Sequence, residues 1–366
     1  MPTSSPPETL DLGRILEISN LINSSLEIET VLDHAMQGVE ELMNAEASSI
    51  WGLDEPRGEL FFRLARGRQA SKVKELRLKM GEGAVGWVAQ TGQPLIIADT
   101  SQDHRFSQKV DATSGFQTRS ILCVPLRHQG HLTGVLQVLN KKAPQGFTED
   151  DLSFLTLLAN QIATALENAK AHSRIQHLFQ QVVQALSVTA EMRDPYTAGH
   201  QYRVTQLACT IAREMGLSEE QVRAIHIAGL LHDIGKIVVP AEILAKPGRL
   251  SDLEHALIRT HSAIGCEILK TIDFPWPIAD IVRQHHEMLD GSGYPDGLRG
   301  DAILLEARII AVADVVEAIS SHRPYRASLG IKTALEEISS KSGSRYDPQV
   351  VEVCLRLFQE KGFAFV

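Results

Sequence analysis

The chain has 366 residues, 43% hydrophobic and 22% charged, with a formal net charge of −9 at pH 7. That length exceeds one ordinary core, so two domains are expected, built from the composition of a soluble globular protein. The acidic balance argues against a nucleic-acid polymer as ligand, which calls for a basic face, but leaves room for a small anion held by a few local Arg or Lys residues.

From the N-terminus, Met1 to Pro7 is polar and lacks the basic and apolar regions of a secretory signal. No apolar run is long enough to span a bilayer, so no membrane association is expected. Cys123, Cys209, Cys266 and Cys354 lie far apart and form no C-x-x-C pair, which fits a reduced, cytoplasmic chain and argues against a thiolate zinc site. Apolar residues at three- and four-residue spacing predict two helices over about 12–44, broken near Asn23-Ser24-Ser25. Short β-type runs follow at Ser48–Leu53, Leu60–Ala65, Leu95–Ala98, Ser120–Leu126 and Thr133–Asn140, separated by Gly, Pro and Asp turns. Gly81–Ala89 opens a short helix; its glycines lack G-x-G-x-x-G spacing and read as a tight turn rather than a phosphate cradle.

This α+β arrangement, an antiparallel sheet flanked by helices, resembles a GAF domain over roughly residues 10–170. The carriers are Gly81–Ala89, the strand from Pro94 to Asp99, Ser120–Leu126 and Gly134–Lys141. Cyclic-nucleotide-binding GAF domains carry an N-K…F-x-x-x-D-E signature. Asn140, Lys141, Phe147 and Asp151 match it, but Leu152 stands where Glu is expected, so the GAF ligand stays open. Cys123 reads as a core residue.

Thr148-Glu149-Asp150-Asp151 caps a long helix that runs to about 192. Leu155, Leu158, Ile162, Ala165, Ala169 and His172 step like a coiled-coil seam, and Leu178, Val182, Ala185 and Thr189 continue it after a phase slip. A stripe of this kind also packs on its own domain in many proteins. Its length and position favour a dimeric connecting helix over 149–192, making a homodimer through this helix and the GAF domain.

Beyond Arg193-Asp194-Pro195 the pattern is helical throughout, predicting an all-α bundle. Ser218-Glu219-Glu220-Gln221 and Ser251-Asp252-Leu253-Glu254 are capping boxes. Successive helices each bring a polar group inward: His200, His232 with Asp233, His261, His285 with His286, and Asp314 within a strongly apolar run. Taken alone, Leu230–Lys236 reads equally as a helix end with a solvated lysine or as a core-facing His–Asp pair needing a cation. Five His and two Asp without thiolate suit Fe, Mn, Zn, Co or Ni rather than a structural zinc knot. They exceed the needs of one tetrahedral ion; a pair of ions bridged by Asp233 uses the set more economically.

The stretch from about 182 to 366 resembles the HD-GYP family of HD metal-dependent phosphohydrolases. The matches are Arg193–His200, Leu231–Ile237, Ile243–Gly248, His285–Pro295 and Arg323-Pro324-Tyr325-Arg326, in the expected order. The resemblance implies hydrolysis of cyclic di-GMP to linear pGpG and, after a second cut, GMP. It makes His200, His232, Asp233, His261, His285, His286 and Asp314 the ligands of two divalent ions, iron or manganese ahead of zinc, cobalt or nickel. Lys236 matches a residue beside metals and phosphate, so the catalytic group is His232, Asp233 and Lys236. Gly293-Tyr294-Pro295 shapes the substrate pocket, and Arg323 and Arg326 face its phosphates. Diguanylate cyclases or downstream effectors are implied as partners. Some members hold a third ion with a Glu four residues before the first ligand His. Here Tyr196 occupies that position and Glu191 is too far back to replace it, so two ions are expected.

Two rival readings remain at this level. One is a non-enzymatic cyclic di-GMP receptor that docks a partner, against which the unbroken ligand set speaks. The other is an HD phosphohydrolase for another cyclic dinucleotide or nucleotide. Among the other histidines, His226 reads as packing and His255 as solvated.

Overall fold

The computed structural model describes residues 12–66, 76–193, 199–246, 248–321 and 328–365. Helices α1 (Leu12–Ile22) and α2 (Ile28–Met43) part at the expected place. The Asn23 amide and Ser24 hydroxyl donate back to Ser19 O and Leu21 O, capping the last carbonyls of α1 instead of extending it.

Among the described residues six strands follow: β1 (Ala45–Asp54), β2 (Glu59–Arg66), β3 (Arg77–Lys79), β4 (Leu95–Ile97), β5 (Ile121–His128) and β6 (His131–Lys141). The sheet order is β3-β2-β1-β6-β5-β4, and every pairing is antiparallel. Two short helices, α3 (Gly83–Thr91) and α4 (Lys109–Ser114), interrupt the strands, and α5 (Glu149–Arg193) leaves the sheet. Both faces of β5 are covered. Leu122, Val124 and Leu126 pack with α2 and α5, while Ile121 and Cys123 pack with Trp51 and α3 on the other side.

The partial GAF signature does structural work in this domain. Lys141 pairs with Asp151 at 2.5 Å, and the Asn140 side chain accepts from Arg119 N at 2.7 Å. Asp151 also accepts from Thr148 N at 2.8 Å and closes the cap on α5.

The expected seam at the start of α5 is corrected. Leu155, Leu158, Ile162, Ala165 and Ala169 are buried in the GAF core, not presented to a second chain. An open sheet face offers about 1.5–3 kcal/mol for each large side chain it buries, and this stripe is the one that meets it. A separate stripe of the same helix is exposed: Ile175 is 66%, Leu178 52%, Val182 57% and Met192 78% accessible.

The chain divides into two compact units after His177, within α5. The second unit is helical: α6 (His200–Glu214), α7 (Glu219–Leu231), a 3-10 turn Ile234–Val238, α8 (Ala241–Leu244), α9 (Asp252–Arg259), α10 (His261–Leu269), α11 (Ile278–Gln284), a 3-10 turn Gly300–Ala302, α12 (Leu305–Ser320), α13 (Gly330–Ser340) and α14 (Pro348–Gln359). Both expected capping boxes form, at Ser218 with Gln221 and at Ser251 with Glu254. The core joins α6, α7, α11, α12 and α14 through Leu207, Ile211, Ile225, Ile281, Ile310 and Val350. Among the described residues no helix is long and apolar enough to cross a membrane.

Candidate metal centre

Each inward polar group stands at a helix end or on a face turned to the same interior. Gly199, at φ 72°, turns the chain so that His200 becomes the first residue of α6. His232 caps α7, and Asp233 opens the 3-10 turn that follows. That turn lies close against α10: a Cβ on Gly235 would stand 1.9 Å from His261 O. Only glycine permits this approach, which sets Asp233 and Lys236 beside His261, the first residue of α10. His285 caps α11, His286 follows it, and Asp314 projects from α12.

The side chains converge. His200 Nε2 lies 3.3 Å from Asp314 Oδ1 and 3.9 Å from Asp233 Oδ2. His232 Nε2 is 3.5 Å from Asp233 Oδ2, whereas His261 Nε2 is 3.4 Å from Asp233 Oδ1 and 3.3 Å from His285 Nε2. His286 Nδ1 is 4.0 Å from Asp314 Oδ2. Among the described residues three groups could hold a metal ion: His261 with His285 and His286; His200 with His232 and Asp314; and His232 with Asp233 and His285. The two Asp233 oxygens therefore face opposite trios.

Ring orientation is fixed from behind. The Nδ1 atoms of His232, His261 and His285 donate to Gly229 O (2.7 Å), Ile258 O (2.7 Å) and Val282 O (2.5 Å). A carbonyl only accepts, so each ring carries its proton on Nδ1 and turns the Nε2 lone pair inward. His200 Nδ1 is bonded to Glu317, a buried carboxylate that also accepts from Arg203 Nε at 2.8 Å. The buried atoms His232 Nε2 and Asp233 Oδ2 have no aligned hydrogen-bond partner, although Lys236 Nζ forms an ion pair with Asp233 Oδ2 at 2.7 Å. Inward imidazole lone pairs grouped around a buried carboxylate fit a divalent cation.

The charges agree with that fit. Burial, then the neighbouring imidazoles, holds His285 well below its usual range and His286 at about 3; burial also lowers His261. These three are neutral donors at pH 7. Burial alone would raise Asp233, but Lys236 and the surrounding histidines hold it well below the usual carboxylate range. Burial likewise pulls His200 down, and the Asp314 and Glu317 carboxylates overcome it and raise the imidazole to about 9. A cation bound there would displace that proton.

Gly293, Tyr294 and Pro295 stand beside this cluster. A Cβ on Gly293 would lie 2.5 Å from Glu287 Cα and His286 O, so the loop folds directly onto the His285–Glu287 backbone. The Tyr294 ring lies 4.8 Å from the His286 ring and 6.4 Å from His261. Buried Glu287 accepts from Asp296 N (2.7 Å), Gly297 N (3.1 Å) and Leu298 N (3.0 Å) and so anchors the loop. Sequence reading assigned no role to Glu287 or Glu317. The available signal was a carboxylate within a run expected to be buried, one turn after Asp314 for Glu317. Arg323, Arg326 and Tyr196 lie outside the described residues. Glu191 accepts from Gly199 N at 3.1 Å and Gln201 N at 3.3 Å, so it caps the start of α6. His226 is exposed, not packed as expected.

Residues 184–350 match the family model of the HD domain, and residues 27–166 that of the GAF domain. The chain thus carries a GAF domain followed by an HD domain. The cyclic di-GMP phosphodiesterase response regulator RpfG of Xanthomonas campestris is 41% identical over 186 residues, 50% of this chain and 49% of that protein. A cyclic di-GMP phosphodiesterase of Thermotoga maritima is 43% identical over 182 residues, 49% of this chain and 50% of its own length. The 3'3'-cGAMP-specific phosphodiesterase 1 of Vibrio cholerae is 37% identical over 180 residues, 49% of this chain and 42% of that protein. The chain spans about half the length of the curated relatives it matches. Among solved structures, the GAF domain from an Acinetobacter phosphoenolpyruvate-protein phosphotransferase aligns with 44% of this chain and 96% of its own, at 29% identity and a TM-score of 0.39.

Proposed function

We propose that this GAF–HD chain is a metal-dependent phosphodiesterase that hydrolyses cyclic di-GMP to pGpG and onward to GMP, under control of the GAF domain. The observation that carries the reading is the cluster of five His and two Asp gathered in the interior of the second unit, within a region above 40% identity to two proteins named as cyclic di-GMP phosphodiesterases.

In this reading His200, His232 and Asp314 would hold one divalent ion and His261, His285 and His286 a second, with Asp233 placed to serve both. A nitrogen and oxygen donor set without thiolate suits iron or manganese, ahead of zinc, cobalt or nickel. When bound, the ions supply Lewis-acid activation of water and neutralise phosphate charge. Lys236, held by Asp233, contacts a non-bridging phosphate oxygen and stabilises charge that grows during cleavage. Burial pushes the Tyr294 phenol up, so it stays neutral and lines the pocket as a hydrogen-bonding wall. Arg323 and Arg326 add guanidinium forks for the phosphates. With nucleotides as substrate and product, the reading assigns the reaction to the cytoplasm.

The test is metal analysis of protein purified without added metal, followed by turnover of cyclic di-GMP with product chromatography. Metal-loaded wild type should give pGpG or GMP, and the His232→Ala, Asp233→Ala double variant should give neither. Absence of turnover by loaded wild type defeats the reading. A second reading, another cyclic dinucleotide as substrate, is favoured by the cGAMP-specific relatives at 37% and 38% identity. Comparative kcat/KM values separate the two.

The exposed residues Ile175, Leu178 and Val182 step by three and four, Met192 lies ten residues further on the same helix, and this apolar surface supports a parallel homodimer along the second half of α5. Val182→Asp should turn a dimer into a monomer in sedimentation; an unchanged mass refutes this interface.

A further inference from the structure

A cleft of about 540 Å³ opens beyond Tyr294, lined by Asp252, His255, Ala256, Arg259, Tyr294 and Pro295. One wall is a single face of α9, on which residues 252, 255, 256 and 259 recur at helical spacing. The other wall is Tyr294, whose ring also borders His286 and His261, so the cleft and the candidate metal centre share a side chain. The Arg259 guanidinium carbon stands 5.3 Å from the Tyr294 ring centroid. Arg259 is exposed and lines this cleft, and among the described residues no carboxylate pairs with it, so its guanidinium donors are open to a ligand.

A volume of this size suits a purine, and the chemistry of the wall discriminates between purines. Guanine presents two adjacent acceptors, O6 and N7, on the edge away from its 2-amino group. A guanidinium offers two parallel N–H donors at matching separation. Adenine presents N7 beside an amine donor, which would meet Arg259 donor to donor. The Tyr294 ring within cation–π reach of Arg259 adds an aromatic surface on which a base can stack beside that fork.

We propose that this cleft is a base subsite next to the reaction centre, in which Arg259 donates to O6 and N7 of a guanine and so selects guanine over adenine. The inference rests on the cyclic-dinucleotide reading, because a phosphodiester at the metal cluster carries its base past Tyr294 into this space. Arg259 is a specificity residue here and takes no part in bond cleavage.

The experiment measures kcat/KM of the metal-loaded full chain on cyclic di-GMP, 3'3'-cGAMP and cyclic di-AMP, for wild type, Arg259→Ala and Arg259→Lys. Loss of one bidentate contact should lower kcat/KM for cyclic di-GMP roughly 5- to 150-fold, mainly through KM. Cyclic di-AMP should change little, so the preference collapses; Lys, which lacks the fork, should restore only part of it. An unchanged guanine-to-adenine ratio in Arg259→Ala overturns the proposal. A second arm needs no turnover: calorimetric binding of GMP and AMP to wild type and Arg259→Ala. Wild type should prefer GMP and the variant should not, and equal binding by wild type refutes the subsite. Failure of every dinucleotide to be hydrolysed, with GMP selectivity intact, would count against the phosphodiesterase reading and leave the guanine site standing.

Discussion

The Glu317 carboxylate takes the Nδ1 proton of His200 as a hydrogen bond and turns the Nε2 of that ring to face Asp314 at 3.3 Å. The same carboxylate binds Arg203, which fixes its own position on α12. A partner behind a ligating imidazole commonly sets metal affinity by 10–100-fold. Glu317→Gln keeps the size and an acceptor but removes the charge. Its metal content, titrated against a chelator series, should fall by on the order of 10–100-fold in affinity while helical circular dichroism is retained. Unchanged affinity would show that Glu317 only packs.

Much of this site was legible because its residue types are costly where the pattern put them. Asp314 inside Ile309–Ala313 and the His232–Asp233 pair after Leu230-Leu231 had to be satisfied by something. Glu317 and Glu287 were less visible because their partners are set by tertiary contact. His200 lies 117 residues from Glu317, and the amides bound by Glu287 belong to a loop whose return is not encoded in any period. On α5 the period was read correctly, but two apolar stripes share the helix. Nothing in spacing says which one a sheet will cover. Strand β3 was missed for a simpler reason: three residues with Leu78 alone buried carry no alternation to detect.

Asp233 lies between the His261–His285–His286 trio and the His200–His232–Asp314 trio, with Oδ1 toward His261 and Oδ2 toward His200 and His232. Replacing one oxygen by an amide removes an anionic contact on one side and points donors at imidazole lone pairs. Asp233→Asn should reduce bound metal from two equivalents toward one or none and abolish turnover, read by elemental analysis and product chromatography on the same sample. Two equivalents of metal retained with full turnover would refute the bridging assignment.

Glu287 accepts three backbone N–H groups from the segment after Pro295. Glu287→Ala strands those donors in a partly buried loop, at a cost on the order of 1–3 kcal/mol. The variant should melt several degrees lower, retain its metal and show a raised KM, since the loop carrying Tyr294 loses its anchor. Loss of metal with an unchanged KM would place Glu287 with the ligands instead. Gly293→Ala should do more damage, because its Cβ would meet backbone at 2.5 Å on three atoms.

The metal-free protein should lose stability as pH falls below about 6.5, the ordinary value for histidine. His261, His285 and His286 are held below that value by burial, so the unfolded chain binds protons that the folded chain refuses. Stability from these groups is present above pH 6.5 and declines on acidification; with His286 at about 3, one such histidine costs about 2 kcal/mol by pH 5. His200 runs the other way. Raised to about 9, it contributes most below pH 6.5 and loses its contribution as pH rises through 9, so it offsets only part of the decline. Glu317, lowered to about 2 against its burial by the His200 bond, adds a further loss once pH drops below about 4.5. Thermal unfolding of chelator-treated protein from pH 8 to 4 should therefore show a Tm that falls steadily below pH 6.5, and His286→Gln should flatten part of that slope. A Tm independent of pH across 6.5 to 5 would mean that these imidazoles are not buried together.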